Sequence, residues 1–347
     1  MRFNVSVILV GLLVSACAGG SVRRLELGPP AADAPRVSSL AEGGGEIELS
    51  VLIYNVEGLP WPARKKRGRK LDRIGEELAR LRAEGRGPDV IMLQEAFTAR
   101  AGAIGLAADY PYIAAGPSAG DRREAAAAEI PQDFIRARRF FKGERFFRVF
   151  GGGLYIYSKF PIVRVEADPF SRHACAGFDC LANKGVLLVS IDIPGAPTPL
   201  DLFTTHMNAQ RASRVGIERR DAAHRYQTDE SARFLAAHRD DRNPLIFGGD
   251  FNMRNASNRL EYFAYRESYN IVRHYCTVLT DECDIRMSWD GDEPWLDTQD
   301  LQGFEDGEEI TVTPIRAEAL FDRRENGGVL ADHDGYLVTY RLRWPAP

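Results

Sequence analysis

From Ile47 to Tyr54 the chain reads IELSVLIY, where apolar and polar positions alternate before an apolar close; this predicts a β-strand with one face on a core. Leu71, Ile74, Leu78 and Leu81 then recur at helical steps, so residues 70 to 84 are predicted to form an amphipathic helix. Gly85 to Pro88 break it, and DVIMLQ starts the next strand, which ends at Glu95. Further strands are predicted from Leu154 to Ser158, Gly185 to Ile193, Pro199 to Thr205, Pro244 to Gly249 and Tyr336 to Leu342. A long helix is predicted between Ile217 and Arg239. Several of these strands are apolar throughout, which suits sheets covered on both faces. Strands and helices are mixed, with no internal repeat, so the pattern predicts a single α/β domain.

The first residues break this pattern. Met-Arg is followed by an apolar run from Val5 to Val14 and by Ser15-Ala16-Cys17, the layout of a secretory signal and too short a run to span a bilayer. Val14-Ser15-Ala16-Cys17 resembles a bacterial lipobox, with Cys17 as the lipid-modified first residue. A plain signal peptide is the alternative. Residues 1–16 are therefore expected to be a signal peptide, 17–45 a lipidated Pro/Gly/Ala-rich tether, and 46–347 the folded domain. The domain is expected at a bacterial cell envelope, in the periplasm or at the surface, with Ala18 favouring the outer membrane.

Composition adds two exclusions. The hydrophobic share of 44% leaves ample material for a core, and a net charge of −4 does not suit a general nucleic-acid binder. Apart from Cys17, the cysteines are Cys175, Cys180, Cys276 and Cys283. In an exported chain they suggest two disulfides; three connectivities are open, and the local pairs Cys175–Cys180 and Cys276–Cys283 are expected. A zinc site lacks the usual spacing. Two basic stretches interrupt the neutral balance. One is ARKKRGRKLDR, with Arg64 through Lys70. The other, from Phe134 to Phe150, mixes Arg136, Arg138, Arg139, Lys142, Arg145 and Arg148 with five Phe residues after Phe134. A solvated loop and a helix with a buried aromatic face account for them structurally. A nearby anionic surface accounts for them functionally. Phe among basic residues fits a membrane interface, and base stacking on a single strand would give the same composition.

The polar residues at the strand ends carry the chemistry. Asn55 lies in YNVEG, Glu95 closes LQE, His206 lies in TTHMN, and Asp250 and Asn252 lie in GGDFN; Asp332 and His333 precede the last strand in ADHDG. Alone, GGDFN reads as a tight turn, and a lone His at a strand end reads as structural. Together, the five supply oxygen ligands for a hard cation, holders of phosphate oxygens and a base for water.

Their order and spacing resemble the endonuclease/exonuclease/phosphatase superfamily over residues 46 to 343, and GGGLYIYSKFPI resembles a strand and turn of that group. The resemblance implies a four-layer α/β/β/α sandwich, two mixed sheets with helices outside, and a site at one edge. It implies a Mg²⁺-dependent phosphodiesterase, with Mn²⁺ as a possible substitute. Glu95 and Asn55 would hold the metal and His333 would be the general base. Asp250 would orient water, Asn252 would hold a phosphate oxygen and His206 would donate to the phosphate, with Asn208 a lesser candidate. Asp332 would orient His333 or bind the same water or metal. Ala331 stands where the group usually has Ser, and WLDTQDLQGF is the nearest match to a further segment, making Asp297 the candidate partner of His333.

DCLANKGVLLV places Asp179 five residues before Lys184 and Gly185, and resembles the Asp-x-x-x-x-Lys-Gly segment of neutral sphingomyelinases. Beside a Gly, Lys184 can approach a phosphate as a point charge, with Asp179 holding it. The same residues also read as a surface turn entering a strand. The leading expectation is a phospholipid or sphingomyelin-like substrate at a membrane surface. An exported nuclease of the same fold is the alternative, followed by a non-catalytic lipid- or phosphate-binding module. No protein partner is predicted.

Overall fold

The computed structural model describes residues 23–267, 269–287, 300–322 and 329–346. Its strands are β1 (Arg24–Glu26), β2 (Ser38–Ser39), β3 (Gly45–Asn55), β4 (Val90–Gln94), β5 (Tyr112–Ala115), β6 (Tyr155–Ser158), β7 (Ile162–Pro169) and β8 (Gly185–Ile191). They continue with β9 (Leu200–His206), β10 (Leu245–Asp250), β11 (Asn270–Ile271), β12 (Asp284–Arg286), β13 (Asp300–Glu305), β14 (Thr311–Leu320) and β15 (Gly335–Trp344). Among the described residues, nine strands form one sheet in the order β1-β5-β6-β4-β3-β15-β14-β12, with β2 beside β3, and six form the other in the order β11-β13-β10-β9-β8-β7.

The predicted alternation of β3 separates two cores. Ile47, Leu49, Val51 and Ile53 enter the layer between the sheets, where they join Leu187, Val189, Leu200, Leu202 and Ile246 of the opposite sheet. Leu52 and Tyr54 point to the other face, under Leu71, Ile74, Leu78 and Leu81 of the helix Arg67–Ala83. The helices Ile217–His238 and Ser257–Arg266 cover the second sheet around Phe203, Phe247 and Phe251. The expected four layers are present. Two buried amides bridge the sheets: Gln94 donates to Thr204 Oγ1, and Gln302 donates to the backbone oxygens of Val51 and Tyr336.

Both local disulfides, Cys175–Cys180 and Cys276–Cys283, are formed. Three expectations change. Residues 23–45 lie along the domain instead of extending as a tether: β1 pairs with β5, and Asp33 pairs with Arg82 and Lys159. Charged side chains in an otherwise small-residue segment find partners on the domain and hold it there. The stretch from Phe134 to Phe150 is not a helix with a buried aromatic face. Helix is limited to Gln132–Arg136 and a single 3-10 turn at Phe140–Lys142, and Phe141 and Phe147 are 90% and 77% exposed. Strand β14 escaped prediction because Pro314 shifts its register and polar residues interrupt its alternation. The expected signal peptide and Cys17 lie outside the described residues.

Candidate active site

Sheet register assembles half of the site. Asp250 lies opposite His206 across the parallel β9–β10 pair and opposite Asp300 across the antiparallel β10–β13 pair. Three chemical side chains therefore stand abreast at neighbouring strand ends, spaced as hydrogen-bonded strands are. The other sheet supplies Asn55 at the end of β3 and Glu95 just beyond the parallel β4. Asn55 Nδ2 donates to Asp250 Oδ2 at 2.9 Å, joining the two sheets across 195 residues of sequence.

Local turns aim the groups. Glu95 and Asn252 adopt left-handed backbone angles, φ 55° and 53°, at the points where their strands stop. Such conformations cost on the order of 1 kcal/mol or more in non-glycine residues, and here neighbouring bonds hold them. Asn252 N–H donates to Asp250 Oδ1, and its amide donates to Met207 O. Asn55 Oδ1 accepts the Glu57 N–H, which leaves one of its two lone pairs.

Glu95 Oε1 lies 3.8 Å from His206 Nε2, and Asp250 Oδ2 lies 3.5 Å from the same nitrogen. These three residues can present one ligand atom each within 4.8 Å of one another, as can Asp250, Asp300 and His333. Burial raises the Glu95 carboxyl, and Lys184 and His333 oppose that shift. Burial also raises Asp250 to about 7, against the positive groups His333 and Lys184. A half-buried and a buried carboxyl, both pressed toward neutrality and facing one space, form a donor set suited to a hard cation: oxygen-rich, with Asn55 Oδ1 completing it.

The predicted cluster of Asn55, Glu95, His206, Asp250 and His333 is brought together, and Lys184 joins it. Lys184 Nζ is buried and lies 2.9 Å from His206 Nε2, 3.0 Å from Met207 O and 3.1 Å from Asp179 Oδ1. Asp179 also accepts the Ala209 N–H. A lysine paired with a carboxylate donates, so His206 Nε2 accepts and its proton sits on Nδ1, which is buried without a partner among the described residues. Burial, then Lys184 and His333, push the His206 pKa well down. In this arrangement His206 Nε2 is occupied by the Lys184 ammonium and carries no proton to donate. Gly185 has another role than access to phosphate: a Cβ there would lie 2.2 Å from Asp168 O, so the glycine allows β8 to pair closely with β7.

One further expectation is corrected, and another falls outside the described residues. His333 Nδ1 donates to Asp300 Oδ2 at 2.7 Å, so Asp300 is its partner, and Asp297 lies outside the described residues. Burial disfavours the His333 charge, but Asp300, Asp250 and Asp332 outweigh it and hold the imidazole well above its usual range. Asp332 neither orients the ring nor turns inward. It is exposed and pairs with Arg64 at 3.2 Å. A surface carboxylate beside a basic loop gains an ion pair without desolvation.

Asn208 is structural. Its amide accepts from Ala176 N–H and donates to Ala209 O, and the side chain is fully buried. Sequence reading missed Arg259, which is 1% exposed. It donates to the backbone oxygens of Asn208 and Asn252 and pairs with Asp221 at 2.8 Å, tying together the two loops that follow β9 and β10. Only an arginine on the apolar side of the helix Ser257–Arg266 could have signalled it.

A sequence profile of the family described as "Endonuclease/Exonuclease/phosphatase family" matches residues 52–313. Sphingomyelin phosphodiesterase 5 of Danio rerio is 31% identical over 158 residues, 43% of this chain and 26% of that protein; the match therefore spans about a quarter of the relative's length. The crystal structure of sphingomyelinase C from Streptomyces griseocarneus superposes with a TM-score of 0.58 at 19% identity, covering 84% of this chain and 99% of the other. A Staphylococcus aureus beta toxin mutant with bound magnesium ions gives a TM-score of 0.57 at 16% identity over 84% and 99% of the two chains.

Proposed function

The chain belongs to the Endonuclease/Exonuclease/phosphatase family; from that premise we propose that it is a phosphodiester hydrolase that acts on a phospholipid or sphingomyelin-like phosphodiester with Mg²⁺. The observation that carries the substrate class is the burial of Lys184 against His206 with Asp179 behind it, since these two residues belong to the segment similar to that of neutral sphingomyelinases. The similarity to a sphingomyelin phosphodiesterase supports the same reading.

In this proposal Glu95 and Asn55 hold the cation. When bound, the cation supplies positive charge to the phosphate oxygens and offsets the carboxylate field that keeps His333 protonated. Water attacks phosphorus in line as the bond to the leaving alcohol breaks. One water proton passes to His333 Nε2, the leaving oxygen takes a proton from solvent, and His333 then returns its proton to solvent, giving a phosphomonoester and an alcohol. Asp300 holds the ring so that Nε2 faces the reaction, and Asp250 orients the water. Asn252 and Lys184 stabilise charge that develops on the phosphate. We also propose that Cys17 carries a lipid that anchors the domain at a bacterial envelope.

The test is hydrolysis of sphingomyelin, glycerophospholipid and DNA with Mg²⁺, with Mn²⁺ and with chelator. Lipid hydrolysis that needs the cation is expected. DNA cleavage without lipid hydrolysis would transfer the enzyme to the nuclease alternative.

A further inference from the structure

A cavity of about 530 Å³ opens between residues 119–123, the Phe134 to Phe150 stretch and residues 170–180. None of its lining residues belongs to the catalytic cluster. Arg138, Arg148 and Arg172 line it together with Phe146 and Phe147.

The charges in this wall are unevenly matched. Asp121 pairs with Arg23, and Arg123 lies within reach of Asp168 and Glu230. Glu144, the acid within the basic stretch, is taken by Arg219 and by the N–H groups of Gly177 and Arg139. Among the described residues, Arg148 donates only to neutral acceptors: the Asn183 amide oxygen and the backbone oxygens of Phe170 and Ser171. Among the described residues, Arg138 and Arg172 form no ion pair. The three guanidiniums also feel one another. Burial first, then Arg172 and Arg138, lower Arg148 to about 10 against the pull of Glu230. Burial and Arg172 likewise lower Arg138. Clustered cations without a matching acid fit an anion from outside the chain.

The apolar part of the wall indicates what carries that anion. Phe140, Phe141, Phe146, Phe147 and Val149 are exposed on the same stretch. Guanidiniums beside outward-facing phenylalanines match an interface where phosphates border acyl chains. We propose that Arg138, Arg148 and Arg172, walled by Phe146 and Phe147, dock the phosphate of an anionic phospholipid at a membrane surface, separately from the lipid being hydrolysed. The proposal rests on the lipid-hydrolase reading only for its choice of occupant. It also has a short path to the chemistry. Arg148 holds Asn183, the residue before Lys184, and the basic stretch is bonded to the Asp179 turn through Val149 N–H to Leu181 O. Docking therefore orients the segment that carries Asp179 and Lys184 toward the surface.

The experiment is sedimentation of the protein with vesicles in chelator, so that no turnover occurs. One set is phosphatidylcholine alone, and the other is phosphatidylcholine with about a third phosphatidylglycerol. Binding to the anionic set should be stronger by about tenfold or more and should fall with salt. The double variant Arg138→Ala/Arg172→Ala should lose most of that preference, and Phe147→Ala should weaken binding to both sets. Both should keep the parent melting temperature and the parent rate on a soluble chromogenic phosphodiester. Equal binding to the two vesicle sets, or unchanged binding of the double variant, overturns the proposal. So does displacement by millimolar inorganic phosphate with no vesicle preference, which marks a site for free anion. Binding of single-stranded oligonucleotide in place of vesicles overturns it too. Anionic vesicle binding without lipid hydrolysis leaves this proposal standing and removes the substrate assignment instead.

Discussion

His333 Nδ1 donates to Asp300 Oδ2 at 2.7 Å, while its Nε2 faces Asp250 Oδ2 at 3.9 Å. The carboxylate thus fixes one tautomer and turns the other nitrogen toward the centre of the cluster. Among the described residues, the second oxygen, Asp300 Oδ1, is buried without a hydrogen-bond partner, so this side chain bonds chiefly to His333. Asp300→Asn would preserve the shape but offer an amide that can face Nδ1 with the wrong group. Turnover should fall by roughly a hundredfold or more, as in triads where the orienting carboxylate is neutralised. His333→Ala should abolish turnover, and Asp332→Ala, at the exposed Arg64 pair, should change it less than about threefold. Steady-state kinetics on the three variants checks this ranking; a larger loss for Asp332→Ala than for Asp300→Asn would reverse the assignment.

Glu95→Gln should weaken cation binding as well as turnover, because it removes the negative charge that a dication needs while the side chain keeps its size. The half-saturating Mg²⁺ concentration should rise by about tenfold or more, and calorimetric titration should show the same loss without substrate. His333→Ala should leave Mg²⁺ affinity near the parent value. Equal Mg²⁺ affinity for Glu95→Gln and the parent would exclude Glu95 as a ligand.

Lys184→Ala should lower kcat far more than it raises KM, since an ammonium that meets charge developing on phosphate acts mainly in the transition state. Asp179→Ala should reproduce much of that loss. The double variant should be less than additive, because Asp179 holds the ammonium at 3.1 Å. A variant series with parallel rises in KM and unchanged kcat would make the pair a substrate-binding feature only.

His224 gives a pH test of the scaffold behind the site. The ring is fully buried in the helix Ile217–His238, and its Nε2–H donates to Phe251 O at 2.9 Å, next to Asp250 and Asn252. Burial, then Arg259, lower its pKa from 6.5 to about 3. The native state therefore stays neutral where the unfolded chain takes a proton. This contribution is complete above pH 6.5 and is lost as pH falls from 6.5 toward 3, at up to about 1.4 kcal/mol per pH unit. Chemical denaturation of the parent at pH 7 and pH 5 should show this slope, and His224→Gln should flatten it. Parallel curves for parent and variant would show that His224 protonates without unfolding.

Cys17 offers the envelope test. Cys17→Ser should remove a lipid-sized mass from the mature protein and shift it out of the membrane fraction, or block its maturation. Unchanged partitioning and no added mass at Cys17 would sink the anchor.

Much of this protein follows from local pattern. The alternation of Ile47, Leu49, Val51 and Ile53 and the helical spacing of Leu71, Ile74, Leu78 and Leu81 set their elements, because burial acts on one face at a time. The same reading found Asn55, Glu95, His206, Asp250 and His333, since four stand where an apolar strand stops and His333 stands just before the last strand starts. What it could not supply was which ends meet. The Asn55–Asp250 bond depends on how two sheets stack, and Asp300 became the partner of His333 through its register with Asp250. Neither relation leaves a periodic trace in the chain. Lys184 and His206 are 22 residues apart and meet only because β8 and β9 pair antiparallel. The arginines of the second cavity come from separate segments as well, and whether their phenylalanine neighbours were buried or exposed was open until the fold left them without a core to join. Sequence determined the elements and the residue types at their ends; packing between sheets decided the partners, since a charge's nearest neighbour is a property of space, not of chain order.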